Sequence, residues 1–119
     1  MENKNVAEKI KQECMSLLSN KVIFNNCSVE FIDKYRRLYS NKQILSIVTN
    51  EELIETARLF LKNNLNITLA SKKGYMHRNT LIYRIDKIKR LIGLDIRIFE
   101  EAVVFENLVM FYDLVRSYN

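Results

Sequence analysis

The apolar spacing between residues 81 and 92 constrains the fold of this chain more than any other feature. Four apolar residues recur there at intervals of four, three and four, which puts them on one face of an α-helix. They are Leu81, Ile85, Ile88 and Ile92. The opposite face carries Asn79, Tyr83, Asp86 and Arg90. The pattern predicts a helix that begins at His77 or Asn79 and ends at Gly93, since glycine often follows the last helical residue.

Two shorter helices are predicted immediately before it, over residues 51–62 and 66–73. The first has apolar residues at helical spacing, and either Thr49 or Asn50 can cap it. Thr49 precedes Glu52 by three residues, which is the spacing of a capping box. The second begins with an asparagine, whose side-chain carbonyl can accept from an N–H group two or three residues further on.

The rest of the chain is also predicted to be helical. Further helices are expected over residues 5–19, after Ser28, over 42–48 and over 98–117. The chain has no proline and only two glycines, a composition that suits helices better than the turn-rich β folds. The predicted fold class is all-α: a helix-turn-helix bundle over residues 51–119 with an N-terminal helical extension over residues 1–50.

The last predicted helix has an apolar surface wider than one buried face requires. One stripe consists of Ala102, Phe105, Val109 and Tyr112, and the other of Val104, Leu108, Phe111 and Val115. Burial on two sides is one interpretation, which makes this a central core helix. A homodimer interface is the other, and the N-terminal extension is a second candidate for dimerisation or partner contact.

Positive charge is concentrated in one window of the sequence. Residues 70–97 hold 8 Lys or Arg against 2 Asp or Glu, whereas residues 98–119 hold 1 against 4. A short helix, a tight turn and a helix with a basic outer face form the arrangement that reads DNA in the major groove. An ordinary solvated basic face is the alternative interpretation of the same pattern.

A string of residues at the start of the third helix favours the DNA-binding interpretation. The run His77-Arg78-Asn79-Thr80-Leu81-Ile82-Tyr83-Arg84 resembles the HRNTLxYR signature of the C-terminal helix-turn-helix in the PucR/CdaR family of bacterial transcriptional regulators. The resemblance extends over roughly residues 51–115 and includes an Ile-Gly-Leu-Asp closure at 92–95. It implies a sequence-specific DNA-binding regulator, whose recognition helix covers about residues 77–92.

Three positions depart from the family pattern. Ser71 occurs where the family usually has alanine, and Gly74 where it usually has a large apolar residue. The segment 97–101 lacks the usual Asp-Pro helix start. Because glycine removes a core contact, we expect looser packing of the short helix, with more effect on DNA affinity than on the fold.

Individual roles follow from side-chain chemistry. Arg78 and Asn79 are predicted to reach base edges, since arginine pairs bidentately with guanine and asparagine with adenine. Thr80 and His77 can each either contact DNA or cap the helix, and Tyr83 can either contact DNA or pack against the preceding helix. The predicted phosphate contacts are Arg84, Lys87, Lys72 and Lys73.

Other functions are less well supported by the sequence. It has no phosphate-binding glycine loop, no cluster of metal ligands and no nucleophile–base pair, so neither an enzyme nor a cofactor is expected. Two cysteines, Cys14 and Cys27, are expected to be free thiols. With no signal peptide and no membrane-length apolar run, a cytoplasmic protein is expected.

The expected partners are double-stranded DNA and a second copy of the chain, without a membrane. Family members generally carry sensory domains ahead of this module. Here three interpretations stay open: a small stand-alone regulator, a regulator that relies on a protein partner for sensing, or a fragment of a larger regulator. A protein-interaction module, built on a helix-turn-helix that has lost DNA binding, is the alternative function.

Overall fold

The computed structural model describes residues 5–12 and 35–117, and these residues form helices joined by short turns. Residues 5–12 are helical and are here named α1. The helices that follow are a 3₁₀ turn, η1 (Arg37–Ser40), and α2 (Lys42–Val48), α3 (Glu51–Lys62), α4 (Ile67–Lys73), α5 (Arg78–Ile92) and α6 (Phe99–Ser117). The all-α prediction is confirmed. The predictions on Cys14, Cys27 and the helix start after Ser28 lie outside the described residues.

Asparagine side chains begin three of these helices. Asn41 accepts hydrogen bonds from the backbone N–H groups of Gln43 and Ile44 at the start of α2. Asn50 and Asn66 begin α3 and α4, each accepting from the N–H three residues further on, at 3.1 Å and 2.9 Å. Each bond satisfies a backbone donor that has no partner within its own helix, so the chain fixes these helix starts locally.

The predicted capping box at Thr49 is wrong. The backbone N–H of Thr49 still donates to the Leu45 carbonyl, so this residue belongs to the end of α2. Its hydroxyl donates to the same carbonyl at 2.6 Å. Because the Thr49 side chain is turned back along α2, Asn50 caps α3 instead.

Helix α5 lies at the centre of the fold, in contact with α2, α3 and α4. Its apolar stripe of Leu81, Ile85, Ile88 and Ile92 is completely buried, as the spacing predicts. At its end, Gly93 adopts a left-handed conformation with φ 75°, which glycine tolerates without steric cost. Because the inner face of α5 is fully buried, the polar face of the helix points away from the core.

The last helix is a core helix of this chain. Both predicted stripes of α6 are buried, except for Tyr112, which is partly exposed. Tyr39, at the end of η1, donates its hydroxyl to the Leu108 carbonyl of α6 at 2.7 Å. Val6 and Ile10 of α1 join the same core. Side chains from the N-terminal extension and from the helix-turn-helix are therefore buried together.

Candidate nucleic-acid interface

The start of α5 is fixed by a histidine cap. His77 has an extended backbone, and its Nδ1 accepts from the backbone N–H of Asn79 at 3.0 Å. An imidazole that accepts through Nδ1 carries its proton on Nε2, which remains a donor toward solvent. The side chains of His77, Arg78 and Asn79 are all exposed, and Thr80 is half-buried. The predicted base-contacting residues thus lie on one exposed end of the helix.

The Arg78 side chain links the two helices of the helix-turn-helix. Its Nη1 donates to the Thr68 hydroxyl of α4 at 3.1 Å. A guanidinium has five N–H donors, so one such bond leaves donors for a second acceptor. The bond orients the Arg78 side chain without burying it.

Tyr83 and Arg84 are adjacent in sequence but point to different surroundings. Tyr83 is 58% exposed, and the guanidinium carbon of Arg90, one turn from the end of α5, lies 5.6 Å from its ring centroid. Arg84 instead turns toward α3, where its Nη1 donates to the Thr56 hydroxyl at 3.2 Å. Its Nη2 lies 3.8 Å from the Glu52 carboxylate. The structure thus joins Arg84 to a neighbouring helix, whereas Tyr83 stays at the surface.

The three lysines of the predicted interface have different surroundings. Lys72 and Lys73 are exposed in the last turn of α4, and Lys87 is half-buried on α5. Within residues 5–12 and 35–117, none of these three ammonium groups forms an ion pair or a hydrogen bond with another side chain. Lys72 and Lys73 thus add charge to α4, and Lys87 to α5, the two helices of the motif.

Tyr75 is a residue that the sequence interpretation missed. It lies in the turn between α4 and α5, is 99% exposed and has a φ of 51°. An aromatic residue in a turn between two lysines and an arginine was the available signal.

The space beside Gly74 is filled. A Cβ atom added at Gly74 would lie 2.2 Å from Cδ2 of Leu59 on α3, and 3.1 Å from the Ala70 carbonyl oxygen. The expectation of looser packing at this position is therefore wrong, because Leu59 supplies the apolar contact from the facing helix. Ser71, the second departure, donates its hydroxyl to the Met76 carbonyl across the turn.

A charged cluster fixes the chain after α5. Arg97 Nε donates to Asp95 Oδ1 at 2.8 Å, and its Nη2 lies 3.1 Å from Asp86 Oδ1 of α5. Lys89 approaches Asp95 at 3.7 Å. Burial by itself would raise the pKa of Asp95, but the hydrogen bonds from the Arg97 side chain and N–H, with the charges of Arg97 and Lys89, hold that pKa below its ordinary 3.8. The same pairing raises the pKa of Arg97.

Two other features are absent from the described residues, a metal centre and a membrane-spanning helix. Within 5–12 and 35–117, no three His, Cys, Asp or Glu side chains come together in a way that could hold a metal ion. No helix in the described part of the chain has the length and apolar character needed to cross a membrane.

Comparison with known proteins gives the following matches. Residues 53–107 match the family model of the PucR C-terminal helix-turn-helix domain. The uncharacterized protein YxkF of Bacillus subtilis (strain 168) is 40% identical over 72 residues, which cover 60% of this chain and 24% of that protein. The purine catabolism regulatory protein of the same strain is 33% identical over 48 residues, which cover 40% of this chain and 9% of that protein.

The chain thus spans about a quarter or less of the length of these relatives. A search of solved structures returned no match. The resemblance noted in the His77–Arg84 string is confirmed by the matched domain.

Proposed function

We propose, from the premise that residues 53–107 are a helix-turn-helix domain of the PucR C-terminal type, that this chain binds double-stranded DNA sequence-specifically and regulates transcription. A matched relative is a regulatory protein by name, which supports this assignment. The overlap is a small part of that relative, so the proposal does not extend to the regulation of purine catabolism.

One observation carries the proposal: the division of α5 between a buried face and an exposed N-terminal end. Four apolar side chains anchor the helix completely, while His77, Arg78 and Asn79 remain accessible at its start. In helix-turn-helix proteins, the second helix enters the major groove with these N-terminal residues at the base edges. The buried face thus fixes the helix while its first turn stays accessible to a partner.

We assign base reading to Arg78 and Asn79. Arginine pairs bidentately with guanine O6 and N7, and asparagine with adenine N6 and N7. The hydrogen bond between Arg78 and Thr68 restricts the arginine before DNA arrives, which lowers the entropy lost on binding. Tyr83, one turn further on, extends the same exposed surface along the groove.

The remaining cationic residues have two proposed roles. Lys72, Lys73 and Lys87, with Thr80 and the free donor of His77, contact phosphates and so orient the domain without reading sequence. Arg84 was expected to join them, but its contacts with Thr56 and Glu52 support a positioning role between α5 and α3.

A homodimer is the second part of the proposal. Phe99, Val103 and Met110 of α6 are exposed at spacings of four and seven, so they form one apolar strip, and Phe99 is 72% exposed. Two copies joined there would present two recognition helices to half-sites about 34–36 Å apart. Light scattering at micromolar concentration tests it: a dimer that becomes monomeric on Val103→Asp is expected, and a monomeric wild type contradicts it.

The strip also favours one alternative function, a protein-interaction module that docks onto another regulator and receives its sensory signal. Ile98, 49% exposed, widens the apolar surface beside Phe99. This alternative predicts that partner binding survives charge reversal at Arg78, whereas DNA binding does not.

Fluorescence anisotropy with duplex DNA at several salt concentrations tests the main proposal. Selection from random sequence first provides a cognate site. Arg78→Ala is expected to weaken cognate binding by about 1–3 kcal/mol and to spare binding to random duplex. Lys87→Ala is the matched control, expected to weaken both equally and to reduce the salt slope by about 1.

Two results contradict the proposal. Absence of binding at low salt would remove DNA as the partner. Equal loss on cognate and random duplex in Arg78→Ala would remove the base-reading role of Arg78.

A further inference from the structure

The turn between α4 and α5 holds an aromatic side chain in a conformation that aromatic residues rarely adopt. Gly74 ends α4 with φ −92°, and the left-handed residue is the next one, Tyr75, with φ 51°. Glycine adopts positive φ without steric cost, but in this turn the residue with positive φ is Tyr75, one position after the glycine. The Tyr75 side chain is 99% exposed, so the ring stabilises nothing in the folded chain.

Hydrogen bonds on both sides of Tyr75 fix this conformation. Its backbone N–H donates to the Lys72 carbonyl at 3.4 Å. The N–H of Met76 donates to the Ser71 carbonyl at 3.0 Å, and the Ser71 hydroxyl donates to the Met76 carbonyl. The Leu59 side chain of α3 packs against Gly74. These hydrogen bonds and the Leu59 side chain therefore hold the turn in place, and the Tyr75 ring projects from it.

The surroundings of the projecting ring are cationic. Lys72 and Lys73 precede it in the last turn of α4, and Arg78 follows it in the first turn of α5. All three are exposed. An unfavourable backbone conformation that persists beside a binding surface is a recognised mark of function. Tyr75 thus lies within three residues of each of these cationic groups along the chain.

We propose that Tyr75 is a DNA-backbone contact, with its hydroxyl donating to a phosphate and its ring lying against the neighbouring deoxyribose. The inference rests on the DNA-binding function proposed above and adds a residue to it. Tyrosine hydroxyls are among the usual donors to DNA phosphates. Because phosphates and sugars recur at every step, this contact strengthens binding to cognate and random duplex alike.

Two variants separate the ring from its hydroxyl. Tyr75→Phe removes only the donor, and we expect it to weaken binding to both duplexes by about 2- to 10-fold. Tyr75→Asn removes the ring and keeps a residue that accepts left-handed φ, and we expect a loss of about tenfold or more on both duplexes. Leu45→Asn, which changes an exposed apolar side chain on α2, is the control and should bind as wild type does.

Thermal unfolding shows whether a loss of DNA binding is caused by a loss of stability. Tyr75→Asn is expected to be at least as stable as wild type, since asparagine tolerates the left-handed region better than tyrosine. A loss of DNA binding in a variant whose Tm is no lower than that of wild type supports the contact.

The assignment is overturned if Tyr75→Asn binds both duplexes as tightly as wild type, or if it loses only cognate binding, which would make Tyr75 a base reader. Wild type that binds no duplex at any salt concentration would overturn the DNA-binding function itself, and with it this contact. If wild type binds DNA and Tyr75→Asn binds it equally well, only the Tyr75 contact is overturned.

Discussion

Replacing Gly74 with alanine tests whether Leu59 fills the space beside this glycine. The new Cβ would lie 2.2 Å from Leu59 Cδ2 and 3.1 Å from the Ala70 carbonyl oxygen. Carbon atoms in contact are normally about 3.5–4.0 Å apart, so the end of the Leu59 side chain would have to move by more than 1 Å. Overpacking of a core costs about 1–3 kcal/mol, and the lower end applies here because the displaced atom is the end of a flexible, partly buried leucine side chain.

An opposing effect arises in the unfolded chain. Gly74 has a φ of −92°, which alanine adopts freely. Replacing glycine at such a position stabilises a protein by about 0.4–1 kcal/mol, because it reduces the entropy of the unfolded state. We therefore expect Gly74→Ala to lower the free energy of unfolding by no more than about 0.5 kcal/mol net.

Removing Leu59 should remove most of that cost. Leu59→Ala alone is expected to cost about 2 kcal/mol, the lower end for a leucine, because this side chain is only partly buried. In the Leu59→Ala background, Gly74→Ala should instead raise the free energy of unfolding by about 0.5 kcal/mol, since the unfolded-state gain remains and only the contact with the Ala70 carbonyl opposes it.

Urea unfolding of the four proteins in this double-mutant cycle gives the coupling energy directly, provided that the m-values agree. A coupling of about 1 kcal/mol or more is expected between residues in such contact. The same cost for Gly74→Ala in both backgrounds would refute the packing argument.

Three further predictions concern the contacts that hold α5 and α6 in place. Asp95→Asn should remove a pH-dependent part of the stability: the pKa of Asp95 is lowered in the folded state, so its contribution is complete above the ordinary value of 3.8 and is lost as the pH falls below it. The difference in unfolding free energy between wild type and Asp95→Asn should therefore be constant above about pH 5 and shrink as the pH falls below 3.8, and a difference that stays constant at acid pH would contradict this. Arg84→Ala should lower the free energy of unfolding by about 1 kcal/mol, because it removes a partner of the buried Thr56, whereas Lys87→Ala should be neutral in the same urea assay. Tyr39→Phe should cost about 1 kcal/mol through its lost hydrogen bond to Leu108, measured by thermal unfolding, and an unchanged Tm would argue against that bond.

Local hydrogen bonding explains which parts of the fold could be predicted. Asn66, His77 and Gly93 mark the helix boundaries where the sequence predicts them. Each acts within two to four residues of its own position, so the sequence alone contains the relevant partners. The buried face of α5 was predictable for a similar reason, because a period of 3.6 residues fixes which side chains share a face.

The capping error between α2 and α3 shows where local information was not sufficient. Thr49 and Asn50 are both competent caps and are adjacent, so either one satisfies the pattern. The choice depended on how far α2 extends, because Thr49 donates back to Leu45 while α2 is still intact. The end of one helix thus decided which residue begins the next.

The sequence by itself determined the all-α class, the helix-turn-helix segment and the exposed start of α5, since periodicity and caps act over one or two turns. The tertiary structure alone decided that Leu59 fills the space at Gly74, that Arg84 is bound to Thr56 and that Tyr75 projects from a clamped turn. Arg84 and Thr56 are 28 residues apart, and Tyr39 and Leu108 are 69 apart. Contacts at such separations form only after the helices pack, so no pattern in the sequence specifies which side chains will meet.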